Sequence, residues 1–181
     1  MRTKETQLGN GQIAMIRPVT AEDAANVLQY LNCVTAETDF LASGEGEFDW
    51  TIEKERKFIE DHLNADNKLI ILAEIKSEVA GIAGFTGVEK SRMRHTGELG
   101  ISILRRYWGL GLGSALMEYI IEWAKSSGVV RKINLKARID NDRALRLYKR
   151  FGFVLEGTIS RQFQIAGGFH DAYLMGLQID P

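Results

Sequence analysis

The stretch RRYWGLGLGSAL, Arg105 to Leu116, places Gly109, Gly111 and Gly113 at every second position directly before a helical pattern. Glycine costs a helix interior about 1 kcal/mol relative to alanine, so three of them at a helix start call for a compensating role. The first N–H groups of a helix have no internal partner, and its peptide dipoles add partial positive charge there, so an anion is stabilised at that end. Bulky side chains would hold a diphosphate away; glycine lets the backbone approach and aim successive amides at one ligand. Charge-assisted hydrogen bonds, worth about 1.5–3 kcal/mol each, would offset the lost propensity. The chemistry implied is phosphate binding. A strand-to-helix turn that needs glycine only for close packing is the competing reading.

Two common phosphate loops do not fit. A nucleotide-hydrolase loop ends in Gly-Lys-Ser/Thr, and no lysine stands between Gly113 and Ser114. The dinucleotide fingerprint is G-x-G-x-x-G early in a parallel sheet, whereas the spacing here is G-x-G-x-G after strands that read as antiparallel.

The elements that must hold this stretch follow from periodicity. QIAMIRPV reads as a strand closed by Pro18, with Ile13, Met15 and Arg17 alternating with their neighbours. Thr20, Glu22 and Asp23 then mark a helix start, and that helix is expected to run to about Leu31. TAETDFLASGEGEFDW is polar and irregular, and Asp49 or Thr51 caps a second helix carrying Ile52, Phe58, Ile59 and Leu63. KLIILAEI and VAGIAGFTGV form a hairpin around KSE, and TGELGISIL is the next strand. Leu112, Ala115, Leu116, Tyr119, Ile120, Trp123 and Ala124 line one face of a helix that stops at Gly128. KINLKA is a strand. DNDRALRLYKRFGF is a helix capped by Asp140 or Asn141 and ended by Gly152, with Ala144, Leu147, Tyr148 and Phe151 on one face. FVLEGTISRQFQ and FHDAYLMGLQ pair around Gly167 and Gly168. The expected fold class is α/β (α+β): one mainly antiparallel sheet of about seven strands flanked by about four helices, with one parallel crossover around the glycine-led helix.

The 181 residues suit one domain, residues 1–181, with no internal repeat or linker. A net charge of -1 gives no excess of basic residues for nucleic acid or an anionic membrane. No apolar run reaches the roughly 20 residues that cross a bilayer, and no secretory leader is seen; a cytoplasmic, soluble protein is expected. No cysteine–histidine cluster has zinc spacing, so no metal is expected. Cys33 reads as a small buried residue and not as a covalent acyl carrier. His62, His95 and His170 are isolated, hence surface or structural residues.

On two linked blocks the chain resembles the GNAT superfamily of acetyl-CoA-dependent N-acetyltransferases. Arg106, Gly109 and Gly111 match its Gln/Arg-x-x-Gly-x-Gly/Ala signature, and NDRALRLYKRFGFVLEGT matches its closing block, in the family's order. RRYWGLGLGSALM and RQFQIAGGFHDAYLMGL are most similar to the branch of ribosomal-protein and N-terminal acetyltransferases and their small-molecule relatives. The resemblance implies that the amides of Gly109, Leu110, Gly111, Leu112, Gly113 and Ser114, with Arg106 nearby, hold the pyrophosphate of acetyl-CoA (coenzyme A). It implies that the pantetheine arm pairs with the strand edge at Ile101 and Ile103, in a gap between that strand and KINLKA.

Acetyl transfer to an amine needs a base, a polarised carbonyl and an acid. The resemblance makes Tyr148 the acid for the departing thiolate, against a plain core role for its ring. Glu98 is the first candidate base, directly or through water, and Glu37 the second; an ordinary solvated role for Glu98 stays open. A strand amide near Leu99 or Ile101 would serve the carbonyl oxygen. Asn141 contacts the pantetheine arm, caps its helix, or does both. Glu37 and Asp39, with Glu45, Glu47 and Asp49, either draw a cationic amine or form a solvated loop. RRY and KSRMRH either reach the adenosine phosphate or are solvated. The expected activity moves acetyl to a primary amine of a small molecule or a peptide N-terminus, with a possible homodimer as in relatives. The alternative is a non-catalytic acyl-CoA binding or sensing module.

Overall fold

Eight strands form a single sheet in the computed structural model, which describes residues 2–180. In chain order the elements are β1 (Lys4–Gln7), β2 (Ile13–Pro18), α1 (Ala24–Glu37), α2 (Ile52–Leu63), β3 (Lys68–Ile75), β4 (Glu78–Gly87), β5 (Thr96–Ile103), α3 (Leu112–Ser126), β6 (Lys132–Arg138), α4 (Asp142–Arg150), β7 (Val154–Ile165) and β8 (Gly168–Gln178). The strand order is β1-β2-β3-β4-β5-β6-β8-β7, and β5–β6 is its one parallel pair, joined through α3. This is the mainly antiparallel sheet with one crossover that the sequence pattern requires.

Local chemistry sets the boundaries. The β3–β4 hairpin turns on Lys76 and Ser77, both at positive φ (51° and 66°), the conformation whose twist suits a two-residue hairpin loop. Thr51 Oγ1 accepts from Lys54 N and Asn141 Oδ1 from Ala144 N, each 3.2 Å, capping α2 and α4. Gly128 and Gly152 lie at φ 70° and 88°, just past α3 and α4.

Three expectations need correction. An eighth strand, β1, pairs with β2; its four polar residues, KETQ, carry no apolar alternation to announce it. Helix α1 continues six residues past Leu31, because Val34 packs in the core and the Thr35 hydroxyl bonds back to the Leu31 and Asn32 carbonyls. Cys33 is exposed, on the outer side of that helix.

The core lies largely between the sheet and α3, whose Leu112, Leu116, Tyr119 and Ile120 have no accessible surface. Strand β5 reaches its position by close approach to β4. A Cβ at Gly97 would lie 2.4 Å from Phe85 Cζ and 2.5 Å from the Thr86 carbonyl oxygen, whereas one at Gly100 meets nothing within 4 Å. Gly97→Ala is therefore expected to destabilise the fold by about 1–3 kcal/mol, and Gly100→Ala by less than about 1 kcal/mol. Urea unfolding midpoints of the two variants check this; equal midpoints would contradict it.

Candidate active site

Strands β5 and β6 pair over three residues only, Thr96–Lys132, Gly97–Ile133 and Glu98–Asn134. Beyond that point each follows its other neighbour. Strand β5 stays on β4 as far as the Gly81–Ile103 pair, and β6 stays on β8 as far as Arg138–Ala172. The sheet therefore forks. Successive backbone groups of a strand point to opposite sides. His95 O accepts from Lys132 N of β6 (3.1 Å), and Thr96 O accepts from Val88 N on the β4 side (2.9 Å). The Leu99 N–H is the last group used in pairing with β6, through the Glu98–Asn134 pair, so the Leu99 carbonyl and the N–H and C=O groups of Ile101 and Ile103 face the fork. Trp108 Nε1 donates to the Ile103 carbonyl at 2.7 Å, which partners one of them.

The glycine stretch lies at the open end of this fork. Gly109 (φ 76°) and Gly111 (φ 93°) are left-handed with nothing within 4 Å of an added Cβ, so the backbone there is bare. Gly111 is the residue before α3, and its carbonyl takes both Ser114 N and Ala115 N. Among the described residues, the amides from Gly109 to Gly113 donate to no protein acceptor. Gly113 serves packing instead: an added Cβ would approach Leu147 of α4 at 3.2 Å and Ile103 of β5 at 3.4 Å. Both readings of the glycines thus apply, at different positions. The loop is propped from outside by Gly9 N, which donates to the Leu110 carbonyl (3.0 Å). Ser114 Oγ accepts from Arg150, tying α3 to α4. The Arg106 guanidinium is paired with Glu78 of β4 and does not lie free at the helix mouth.

Tyr148, on the inner face of α4, is 7% exposed and packs its ring 5.8 Å from that of Phe153. Burial pushes its phenol up to about 12, so it keeps its proton at neutral pH. Leu145 is buried on the same face, which the sequence reading did not include. Glu98 is exposed, on the last residue pair before the fork, and its carboxylate accepts from Lys136 Nζ of β6 at 2.8 Å.

On the α1 side a cavity of about 280 Å³ is lined by Glu37, Thr38, Asp39, Phe40, Arg105, Trp108 and Arg138, with Ala36 behind them. Glu37 is the last residue of α1 rather than part of an irregular loop, and its carboxylate accepts from Arg105 N at 2.6 Å. Arg138, 7% exposed, is fixed by both Asp140 oxygens and by the Asp39 carbonyl, and lies 4.9 Å from the Phe40 ring centre. Two carboxylates and two guanidiniums line the cavity, so it is charge-balanced and not simply acidic. RRY and KSRMRH fall at opposite ends of β5 and form no common basic patch.

Three further residues are placed by the structure. Arg138 and Lys136 come from β6, where only an alternating apolar pattern was legible. His62 is buried on the stripe Glu55, Ile59 and His62, whose spacing of four and three was available in the sequence. Its Nδ1 lies 2.9 Å from the Phe58 carbonyl, which can only accept, so Nε2 accepts from Thr86 Oγ1 at 3.2 Å. Burial lowers the affinity of this ring for a second proton and raises the Glu55 carboxyl. Thr86 is the cross-strand partner of Glu98. No group of three or more His, Cys, Asp or Glu among the described residues is arranged to hold a metal, and no helix there is long and apolar enough to cross a membrane.

Known proteins share this fold. A crystal structure described as the acetyltransferase of GNAT family from Streptococcus pneumoniae is 38% identical, covers 92% of this chain and 99% of its own, and superposes with a TM-score of 0.89. An L-amino acid N-acetyltransferase of Escherichia coli is 32% identical over 105 residues, 58% of this chain. That match spans 65% of the Escherichia coli enzyme's own length. The fold of yncA from Salmonella typhimurium, solved with its cofactor acetyl-CoA, matches with a TM-score of 0.80 at 20% identity, over 92% of this chain and 94% of that one. The Acetyltransferase (GNAT) family model covers residues 35–153, from the last turn of α1 through the fork, the glycine loop and α4. With a forked sheet, a bare loop at the mouth of α3 and this match over most of its length, the chain belongs to the GNAT family of acetyltransferases.

Proposed function

We propose that this protein transfers an acetyl group from acetyl-CoA to a primary amine, and the forked sheet with its unpartnered strand edge is the observation that carries the reading. A pantetheine arm is a chain of amides, the chemistry that completes the β5 edge at Leu99, Ile101 and Ile103. The open amides from Gly109 to Gly113 suit the diphosphate, since no side chain fills the space above Gly109 and Gly111, whereas the Ser114 amide is already bonded to the Gly111 carbonyl. Arg106 would have to share its guanidinium between that diphosphate and Glu78. Asn141 Oδ1 is engaged in capping α4, which leaves its amide hydrogens for any contact with the arm. The bound carrier supplies an acyl group activated as a thioester.

The chain's own residues supply the remaining services. Amine acceptors arrive protonated and react only when neutral. Glu98, at the last residue pair before the fork, is the first carboxylate placed to take that proton, directly or through water, and Glu37 the second; Glu98 accepts from Lys136 Nζ and Glu37 from Arg105 N. The Ile101 amide faces the fork, where a developing negative oxygen would be stabilised, whereas the Leu99 amide is used in the last β5–β6 pair. Tyr148 holds its proton well above neutral pH and can give it to a departing sulfur. The acceptor enters through the cavity of Glu37, Asp39, Arg105 and Arg138, whose volume of about 280 Å³ suits a small amine or a peptide end.

Tyr148→Phe is expected to lower kcat by about 100-fold, in the range for loss of a general acid, with the KM for the amine changed by less than a factor of about three. Steady-state thiol release checks it. An unchanged kcat would remove Tyr148 from the chemistry, and carrier binding with no amine-dependent release from the unaltered protein would instead mark an acyl-CoA sensor. Gly111→Ala forces a non-glycine residue to φ 93°, at a cost of about 1–2 kcal/mol. It is expected to weaken coenzyme A binding about tenfold by calorimetry; undiminished affinity would separate the glycines from the cofactor.

A further inference from the structure

We propose that Lys136 is a self-acetylation site, an internal amine seated where the acceptor's amine would react; this rests on the acetyl-transfer reading above. Three placements carry it. Lys136 Nζ lies 2.8 Å from a Glu98 carboxylate oxygen, the distance at which that group could take an amine proton. The pair sits at the crotch of the fork. Glu98 belongs to the last β5–β6 residue pair, and Lys136 stands two residues beyond its partner Asn134, on the same face of β6 where the strands have begun to separate. The neighbouring face is open. Gly100 follows Glu98 on that side of β5 with nothing within 4 Å of an added Cβ, and it pairs across the sheet with another glycine, Gly84. An amine at this position therefore has a base beside it, bare backbone next to it and, further along the same β5 edge, the Leu99 carbonyl and Ile101 groups that no β6 residue pairs with.

Other lysines lack this setting. Lys68 is paired with Glu89, Lys132 with Glu156 and Lys4 with Glu122, none of them at the fork, and Lys54 lies over the Trp50 ring. Lys136 retains about a third of its side-chain exposure and Glu98 about half, so neither is sealed from a reactant. In the step, Glu98 takes one proton from the Lys136 ammonium and the nitrogen lone pair attacks the thioester carbonyl carbon of acetyl-CoA. The N–C bond forms as the C–S bond breaks. The nitrogen sheds its second proton as the amide forms, and the sulfur, which leaves with the electron pair, takes up one proton, giving free coenzyme A and one acetamide N–H on Lys136, with the other proton left on Glu98. That product is neutral and cannot restore the ion pair, so each molecule is modified once.

The test is peptide mapping by mass spectrometry after incubating the full-length protein with acetyl-CoA and no added amine. A gain of one acetyl group at Lys136 is expected, at least about tenfold above exposed lysines such as Lys57 and Lys149. Excess free coenzyme A should suppress it, and Glu98→Gln should slow it about tenfold or more. The coenzyme A competition stands alone should that variant fail to fold. Equal labelling of Lys136 and the exposed lysines would overturn the proposal, as would labelling that coenzyme A does not suppress. If added amines are acetylated while Lys136 stays unmodified, this inference fails and the acetyl-transfer reading survives. If neither is acetylated, both fall.

Discussion

A backbone that has been pulled off its neighbour must find partners elsewhere, and this requirement organises the molecule around the fork. Every other junction of the sheet is antiparallel and runs on, whereas β5 and β6 separate after three residue pairs. Buried main-chain groups left without partners cost free energy comparable to lost hydrogen bonds. The protein satisfies one of them itself, through Trp108 on the Ile103 carbonyl. The others form a strand edge shaped for an amide-bearing ligand. Sheet twist makes such a separation inexpensive, because each diverging strand keeps its ladder with an antiparallel neighbour.

Around that opening the charges are paired in ways that fix its shape. Glu98 and Lys136 bridge the closed end; Arg138, Asp140 and the Asp39 carbonyl brace the far end of β6; Glu37 ties the end of α1 to Arg105 N. The Arg138 guanidinium is the most buried of these groups, and breaking its network would leave an uncompensated charge. Exposed pairs contribute little to stability on their own. Their value here lies in holding two strand ends and a helix end at the rim of one cavity.

Much of this was legible in the sequence, for identifiable reasons. Helices α3 and α4 declare themselves through apolar residues at three- and four-residue spacing and through Gly128 and Gly152, whose left-handed φ other residues rarely adopt. The loop glycines were legible because only their residue type permits a bare backbone. Residues whose position depends on distant partners were not. Cys33 reads as apolar but sits on the solvent side of a helix longer than its pattern suggested, and β1 has no apolar residue to mark it. Glu37 looked like a loop acid because the helix extension depends on tertiary packing of Val34. Lys136 and Arg138 gain their roles only when β6 lies across from β5 and α1, a relation that strand alternation cannot encode.

The most direct measurement is amide hydrogen exchange, resolved by residue with NMR, on the protein with and without saturating coenzyme A. The account predicts that protection rises on binding at the fork-facing amides of Ile101 and Ile103 and in the loop from Gly109 to Gly113, while Gly100 and Ser102, which face β4, change little. Protection that appeared elsewhere and left those amides exchanging as before would contradict the forked edge as the seat of the ligand.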